Sequence, residues 1–271
     1  MRRSGNTVLI TGGASGIGLA LAERLLAAGN TVIVCGRDAA RLDAACARLP
    51  GLVAIRADVA DPAAREALAR EVTGRFPALN VLINNAGHVE VCDPAAPAHV
   101  DVLRHEIAVN LLAPVALTML LLPRLRLRDD ACIVNVTTGY VFLPSARTAP
   151  YSATKAAMHV MTRSLRFQLR GTTVRVVEVM PPAVDTAMAT HYPGPKLTVT
   201  DAADRILRGL LRDRQEIVIG LSRLGRLTAR IAPNLAFSVM NRLELRPALA
   251  LRWPGRRRAA PDQPASDRAR S

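Results

Sequence analysis

This chain carries its cationic charge almost entirely on arginine; lysine occurs at only two positions, Lys155 and Lys196. Lys155 follows Tyr151 by four residues, in the run Tyr151-Ser152-Ala153-Thr154-Lys155. Residues four apart on a helix share a face, so the phenol and the ammonium can act on one small volume. An ammonium is a compact point charge with rotatable donors, which a planar guanidinium is not. Beside a phenol it favours phenolate and draws the tyrosine pKa down from about 10, toward the range in which an acid–base catalyst works. The pattern is short, and alone it equally describes a solvated lysine beside a half-buried tyrosine.

A second chemical feature lies near the N-terminus. The turn Thr11-Gly12-Gly13-Ala14-Ser15-Gly16-Ile17-Gly18 follows the apolar run Thr7 to Ile10 and opens an amphipathic stretch. Glycines let a backbone pass close to a pyrophosphate, and a helix N-terminus adds free N–H donors and a positive dipole end. Gly12, Ala14, Ser15, Gly16, Ile17 and Gly18 are therefore candidate dinucleotide contacts. At the end of the second apolar run an acid would bind the adenosine ribose hydroxyls. Gly36-Arg37 stands there instead. A guanidinium without a carboxylate suits a 2′-phosphate, so NADP(H) is preferred. NAD(H) stays open, because Asp38 follows one step later. Asp58 and Val59 come after the third strand, placed to meet an adenine edge. Asn85, Ala86 and Gly87 close the fourth, where a cofactor needs small neighbours.

The elements that must position these groups alternate. Strands are expected near residues 7–10, 31–35, 52–55, 81–83, 132–136, 174–179 and 216–219. Helices are expected to about 28 and over 39–49, 62–76, 100–122 and 152–168. Short apolar runs alternating with amphipathic helices imply right-handed βαβ units and a parallel sheet. The fold class is α/β, a Rossmann-type doubly wound sheet of about seven parallel strands with helices on both faces. Half of the 271 residues are apolar but only 3% are aromatic, so small aliphatic side chains must build the core. Thr186 to Val199, with Pro193-Gly194-Pro195 inside, reads as a mobile loop. No linker divides the body. Residues 1–220 are expected to form one catalytic domain, 221–253 a basic amphipathic extension, and 254–271 a disordered Arg/Pro/Ala-rich tail.

Together these pieces resemble the short-chain dehydrogenase/reductase family over about residues 5 to 220. The matching motifs are Thr11-Gly12-x-x-x-Gly16-x-Gly18, Asn84-Asn85-Ala86-Gly87, Asn110 in the long helix, the hydroxyl after strand five, and Tyr151-x-x-x-Lys155. The resemblance implies that Tyr151 exchanges a proton with the substrate oxygen. Lys155 would bind the nicotinamide ribose and lower the pKa of Tyr151, and Asn110 would hold a water in a proton relay. Two positions depart from the family pattern. Thr138 stands where serine is usual, keeping the hydroxyl but adding a methyl. Pro181-Pro182 replaces Pro-Gly and removes an N–H. Pro181, Val184 and Thr186 would still reach the nicotinamide. The stretch from Val134 to Thr186 further resembles the DltE-like oxidoreductase subgroup.

The implied activity is hydride transfer between nicotinamide and a carbonyl or secondary alcohol. The alternative is a catalytically weak dinucleotide sensor or scaffold docking through its basic C-terminus. By resemblance the protein is a homodimer or homotetramer. From residue 221 onward eleven arginines stand against three acids, giving +8 of the net +14. Such charge suits an anionic surface, yet aromatic stacking platforms are nearly absent, so nucleic acid is not an expected partner. Weak peripheral membrane contact through 221–253 stays open beside a role capping the substrate cleft. Four scattered cysteines suggest neither a disulfide framework nor a zinc site, and the five histidines do not pair at metal-ligand spacing. No apolar run approaches 18 residues. The expected location is cytoplasmic, with the inner membrane face as a peripheral alternative.

Overall fold

A computed structural model describes residues 1–93 and 99–245. The expected tail, 254–271, and residues 246–253 of the expected extension lie outside the described residues. The strands are β1 (Thr7–Thr11), β2 (Thr31–Gly36), β3 (Val53–Arg56), β4 (Val81–Asn84), β5 (Cys132–Val136), β6 (Arg175–Met180) and β7 (Glu216–Val218). All pairings are parallel, in the order β3-β2-β1-β4-β5-β6-β7. The central strands are buried on both faces, which is why they read as continuous Val/Ile/Leu runs. Val8 and Ile10 of β1 point into one layer, with α1 (Gly16–Ala27), α2 (Ala39–Arg48) and α7 (Val199–Leu211). Leu9 points into the other, with α3 (Pro62–Arg75), α5 (Ala113–Leu125) and Leu165 of α6 (Ala149–Gln168). Strand order reverses between β1 and β4, so a crevice opens beyond their carboxyl ends.

The long fourth helix is not uniform. It consists of α4 (His99–Ile107) and α5, joined by a π-helical turn, Ala108–Leu112, that carries Asn110. A π-turn inserts an extra residue into the ladder and commonly marks a functional position. The run Val100–Leu125 has the length and apolarity of a membrane-crossing helix. One face of it, however, belongs to the core: Leu117, Leu121 and Leu125 are fully buried.

The segment expected as a mobile loop is tied down. Asp185 N–H donates to Leu197 O and Leu197 N–H to Ala183 O, both at 2.9 Å. A short 3₁₀ turn, Ala187–Ala189, lies between them. Next comes α7, which the sequence reading did not place. Thr198 caps it by accepting from Asp201 N–H, and Ala202, Ala203, Ile206 and Leu210 are buried on its inner face. The basic stretch forms two helices, α8 (Leu221–Ile231) and α9 (Pro233–Leu245). Proline at 233 has no N–H and bars helical geometry at the residue before it, so the break falls at Ala232.

Candidate active site

A cavity of about 1090 Å³ lies beyond the strand ends. Its nucleotide end is lined by Gly12, Ala14, Ser15, Gly16, Ile17, Arg37, Asp58 and Val59. The turn after β1 is held from behind. The Thr11 hydroxyl accepts from Asn85 N–H and Ala86 N–H, and Asn85 Nδ2 donates to Thr11 O and Gly12 O. Gly12 and Gly16 sit at φ +64° and +51°, where a side chain is strained. A Cβ on Gly18 would meet Gly12 O at 2.4 Å, so helix and turn touch backbone to backbone. Ser15 precedes α1 without capping it through its side chain, and no acid occupies the first turn. These residues fit a dinucleotide pyrophosphate, which needs open N–H groups and close backbone approach.

Asp38 is committed elsewhere. Its carboxylate accepts from Arg41 N–H at the start of α2 and pairs with the Arg41 guanidinium at 3.1 Å. Arg37 is exposed, and Arg37, Asp38 and Arg41 all border the cavity.

The reactive groups converge at the ends of β4 and β5. Lys155 is buried, and its Nζ donates to Val136 O at 2.9 Å. The ammonium lies 5.8 Å from the centre of the Tyr151 ring. A Cβ on Gly87 would sit 3.5 Å from Asn110 Oδ1 and 3.7 Å from Lys155 Nζ, so both side chains reach one small space. Asn110 itself is a frame member. Its Oδ1 accepts from His88 N–H, and its Nδ2 donates to His88 O and to Thr154 Oγ1. Thr138, Tyr151, Lys155, Pro181, Val184, Thr186, Asn85, Ala86 and Gly87 line the cavity, whereas Gly18 and Asn110 stand just behind its wall.

The electrostatics differ from the expectation of an acidified phenol. Burial pushes Tyr151 above the usual tyrosine range; a hydrogen bond with Thr138 works against this, and the Glu106 charge adds to it. Burial also lowers Lys155 to about 8, with the Glu178 carboxylate opposing the drop. Desolvation disfavours charge on either group, and it is the largest cause of both shifts.

Three acids escaped the sequence reading. Glu178 of β6 is fully buried and accepts from Thr137 Oγ1 at 2.7 Å and lies 2.8 Å from His159 Nδ1. His159 follows Lys155 by one helical turn, so ring and ammonium share a face of α6. Glu106, also fully buried, accepts from Glu90 N–H and is pushed up by burial. Glu244 of α9 accepts from Tyr140 Oη at 2.8 Å and Ser145 Oγ at 2.5 Å. The signal for Glu178 was an acid inside an apolar strand run; for the others a sequence offers none. Among the described residues, no cluster of His, Cys, Asp and Glu could hold a metal ion.

Comparisons with known proteins point to one family. The family model described as short chain dehydrogenase matches residues 6–195. The chain belongs to the short-chain dehydrogenase family. This dehydrogenase is 48% identical over 189 residues to the oxidoreductase DltE of Bacillus subtilis strain 168, covering 69% of this chain and 75% of that one. It resembles a short chain dehydrogenase from Burkholderia cenocepacia J2315, solved in complex with NADP, with a TM-score of 0.77 and 27% identity, covering 89% and 99% of the two chains. It also resembles a short-chain dehydrogenase from Sphingobium yanoikuyae in complex with NADPH, with a TM-score of 0.75 and 27% identity, covering 95% and 99%. As a member of that family the protein is an oxidoreductase acting on an alcohol or carbonyl with a nicotinamide cofactor.

Proposed function

We propose that this dehydrogenase is an NADP(H)-dependent carbonyl reductase in which Tyr151 is the general acid. The observation that carries the reading is the convergence of Tyr151, Lys155 and Thr138 on a cavity that also contains the glycine cradle. When bound, the reduced nicotinamide supplies a hydride to the carbonyl carbon while the carbonyl oxygen gains a proton, giving a secondary alcohol and the oxidised cofactor. Tyr151 delivers that proton. Its raised pKa keeps the phenol protonated at neutral pH, which is the form reduction needs. Thr138 holds the carbonyl oxygen beside the phenol. Lys155, on Val136 O and close to Gly87, binds the nicotinamide ribose and carries the positive charge that steadies the phenolate left behind. Asn110 keeps the β4 end and α6 in register for that transfer. Arg37, with Arg41 nearby, would receive the 2′-phosphate, while Asp38 is engaged in capping α2 and in pairing with Arg41. The intact phenol, hydroxyl and ammonium favour turnover over a silent binding role.

Removing the Arg37 guanidinium should reveal the cofactor choice. Charge-assisted hydrogen bonds contribute about 1.5–3 kcal/mol. In Arg37→Ala the KM for NADPH is therefore expected to rise about 10–100-fold while that for NADH barely moves. Parallel steady-state kinetics with both cofactors check this; an equal effect on the two would contradict the NADP(H) preference.

Residues 1–220 are read as the catalytic body and α8–α9 as its cover. Leu112, Met119 and Leu120 on the α4–α5 run are exposed apolar side chains that suit a dimer or tetramer seam. Leu227, Ile231 and Leu235 are exposed beside Arg223 and Arg230, a composition suited to peripheral contact with an anionic bilayer. All four cysteines are free, in keeping with a cytoplasmic setting. Analytical sedimentation with and without anionic vesicles tests both surfaces. A monomer would oppose the seam, and equal pelleting of Ile231→Asp/Leu235→Asp and wild type would oppose the membrane contact.

A further inference from the structure

Beyond Tyr151 the cavity changes character. Its walls there are Leu143 below and Leu221, Leu224, Val239, Met240 and Leu243 from the α8–α9 hairpin. Leu221, Leu224, Val239 and Leu243 are between 47% and 57% exposed although they border a cleft. Apolar surface left facing water gains when an apolar ligand covers it. The cleft as a whole lies at the top of the usual range for a ligand pocket, roughly 300–1,000 Å³, and its lining continues past the glycine cradle to the α8–α9 hairpin.

The hairpin that carries this wall is fastened in place. Ala146 N–H donates to Asn241 Oδ1 at 2.6 Å, and Asn241 Nδ2 donates to Pro144 O at 3.1 Å. Ser222, at the start of α8, presses on Gly139 so closely that a Cβ there would lie 2.4 Å from its Oγ. The wall is thus set against the turn that follows Thr138, and an apolar body lying along it would present its carbonyl to Thr138 and Tyr151. The charged side chain that the hairpin itself brings to this half of the cavity is Glu244, nine-tenths buried, with both oxygens already accepting from Tyr140 and Ser145. It opposes an anionic head group. The His191 imidazole at the rim is pushed down by burial and by the Arg147 and Lys196 charges; those two cations stand near the rim and neither lines the cavity.

We propose that this half of the cavity binds a neutral carbonyl compound with an extended aliphatic body, laid along α8 and α9 with its carbonyl at Tyr151. The inference rests on the reductase reading above and adds the substrate class.

Two measurements on the full chain separate the two readings. The first follows NADPH consumption with methyl ketones from butanone to dodecanone. The second follows binding of the same ketones to the NADP⁺ complex by calorimetry, where no hydride is available and no turnover occurs. Each methylene covered by the wall is expected to raise kcat/KM and affinity by roughly fourfold until the wall is filled. Leu224→Asn and Val239→Asn, both at exposed positions, are expected to flatten that slope, whereas Leu127→Asn, on a distant exposed site, keeps it. Butanone reduced without any gain along the series overturns the substrate class and leaves the reductase reading standing. Affinity that climbs with chain length without turnover upholds the site and overturns the reductase reading. A slope unchanged in both hairpin variants overturns the assignment of the wall.

Discussion

Replacing Tyr151 by phenylalanine is expected to lower kcat/KM for carbonyl reduction by about 10³-fold, within the usual range for losing a positioned general acid. Binding of NADPH should persist, because the glycine cradle and Arg37 are untouched. Stability should change by less than about 1 kcal/mol: only a hydroxyl is removed, and the ring borders a cavity rather than a packed core. The combination matters more than any one value. A phenol that merely fills space would tolerate phenylalanine, and one that only shapes the cofactor site would lose NADPH affinity first. NADPH consumption, cofactor titration and thermal unfolding of one variant distinguish the three cases. Reduction at near wild-type rate would remove Tyr151 from the mechanism.

The second large effect is expected at Gly18. An added methyl there would lie 2.4 Å from Gly12 O, 2.7 Å from Asn85 Nδ2 and 2.9 Å from Gly13 Cα. Two of these neighbours are backbone, so the turn must move. The third is the amide that holds the turn through Thr11 O and Gly12 O. Overpacking of this kind costs about 1–3 kcal/mol. The displaced N–H groups also lose their aim at a pyrophosphate. Gly18→Ala should therefore weaken NADPH binding by at least about tenfold, the equivalent of 1.4 kcal/mol, and lower the melting temperature. Gly74→Ala is the control: nothing lies within 4 Å of its added methyl, and in α3 it should gain up to about 1 kcal/mol. Equal behaviour of the two variants in a cofactor titration would refute the cradle.

Much of this site was legible in the sequence because its parts are local. The turn from Thr11 to Gly18 and the pair Tyr151–Lys155 each act through neighbours in the chain. The strands were legible because burial on both faces leaves continuous aliphatic runs, as in Val8-Leu9-Ile10. What was missed depends on partners far away. Glu178 is informative only once Thr137 and His159 are beside it, and Glu244 only once α9 has folded back over Tyr140 and Ser145. The π-turn at Asn110 leaves no mark in hydrophobic spacing, because one extra residue in a long apolar helix shifts the pattern only slightly. The electrostatics were misjudged for a related reason. Spacing predicted an ammonium near the phenol, but not that Lys155 would be turned to Val136 O, nor that burial would dominate both groups.

That last point changes how the site is expected to work. With Lys155 near 8 and Tyr151 raised, the resting protein holds a protonated phenol beside an ammonium that is still mostly charged at neutral pH and begins to lose its proton just above it. A lysine lowered in this way gives up its proton as pH climbs through its folded value, long before a free lysine would. The pH dependence of kcat/KM for NADPH reports the groups of the free protein, and it tests the account most directly. The profile should be level through neutrality and turn down above about 8, as Lys155 loses its charge. A profile that stays level until about 10, the range of an unperturbed lysine or tyrosine, would contradict it.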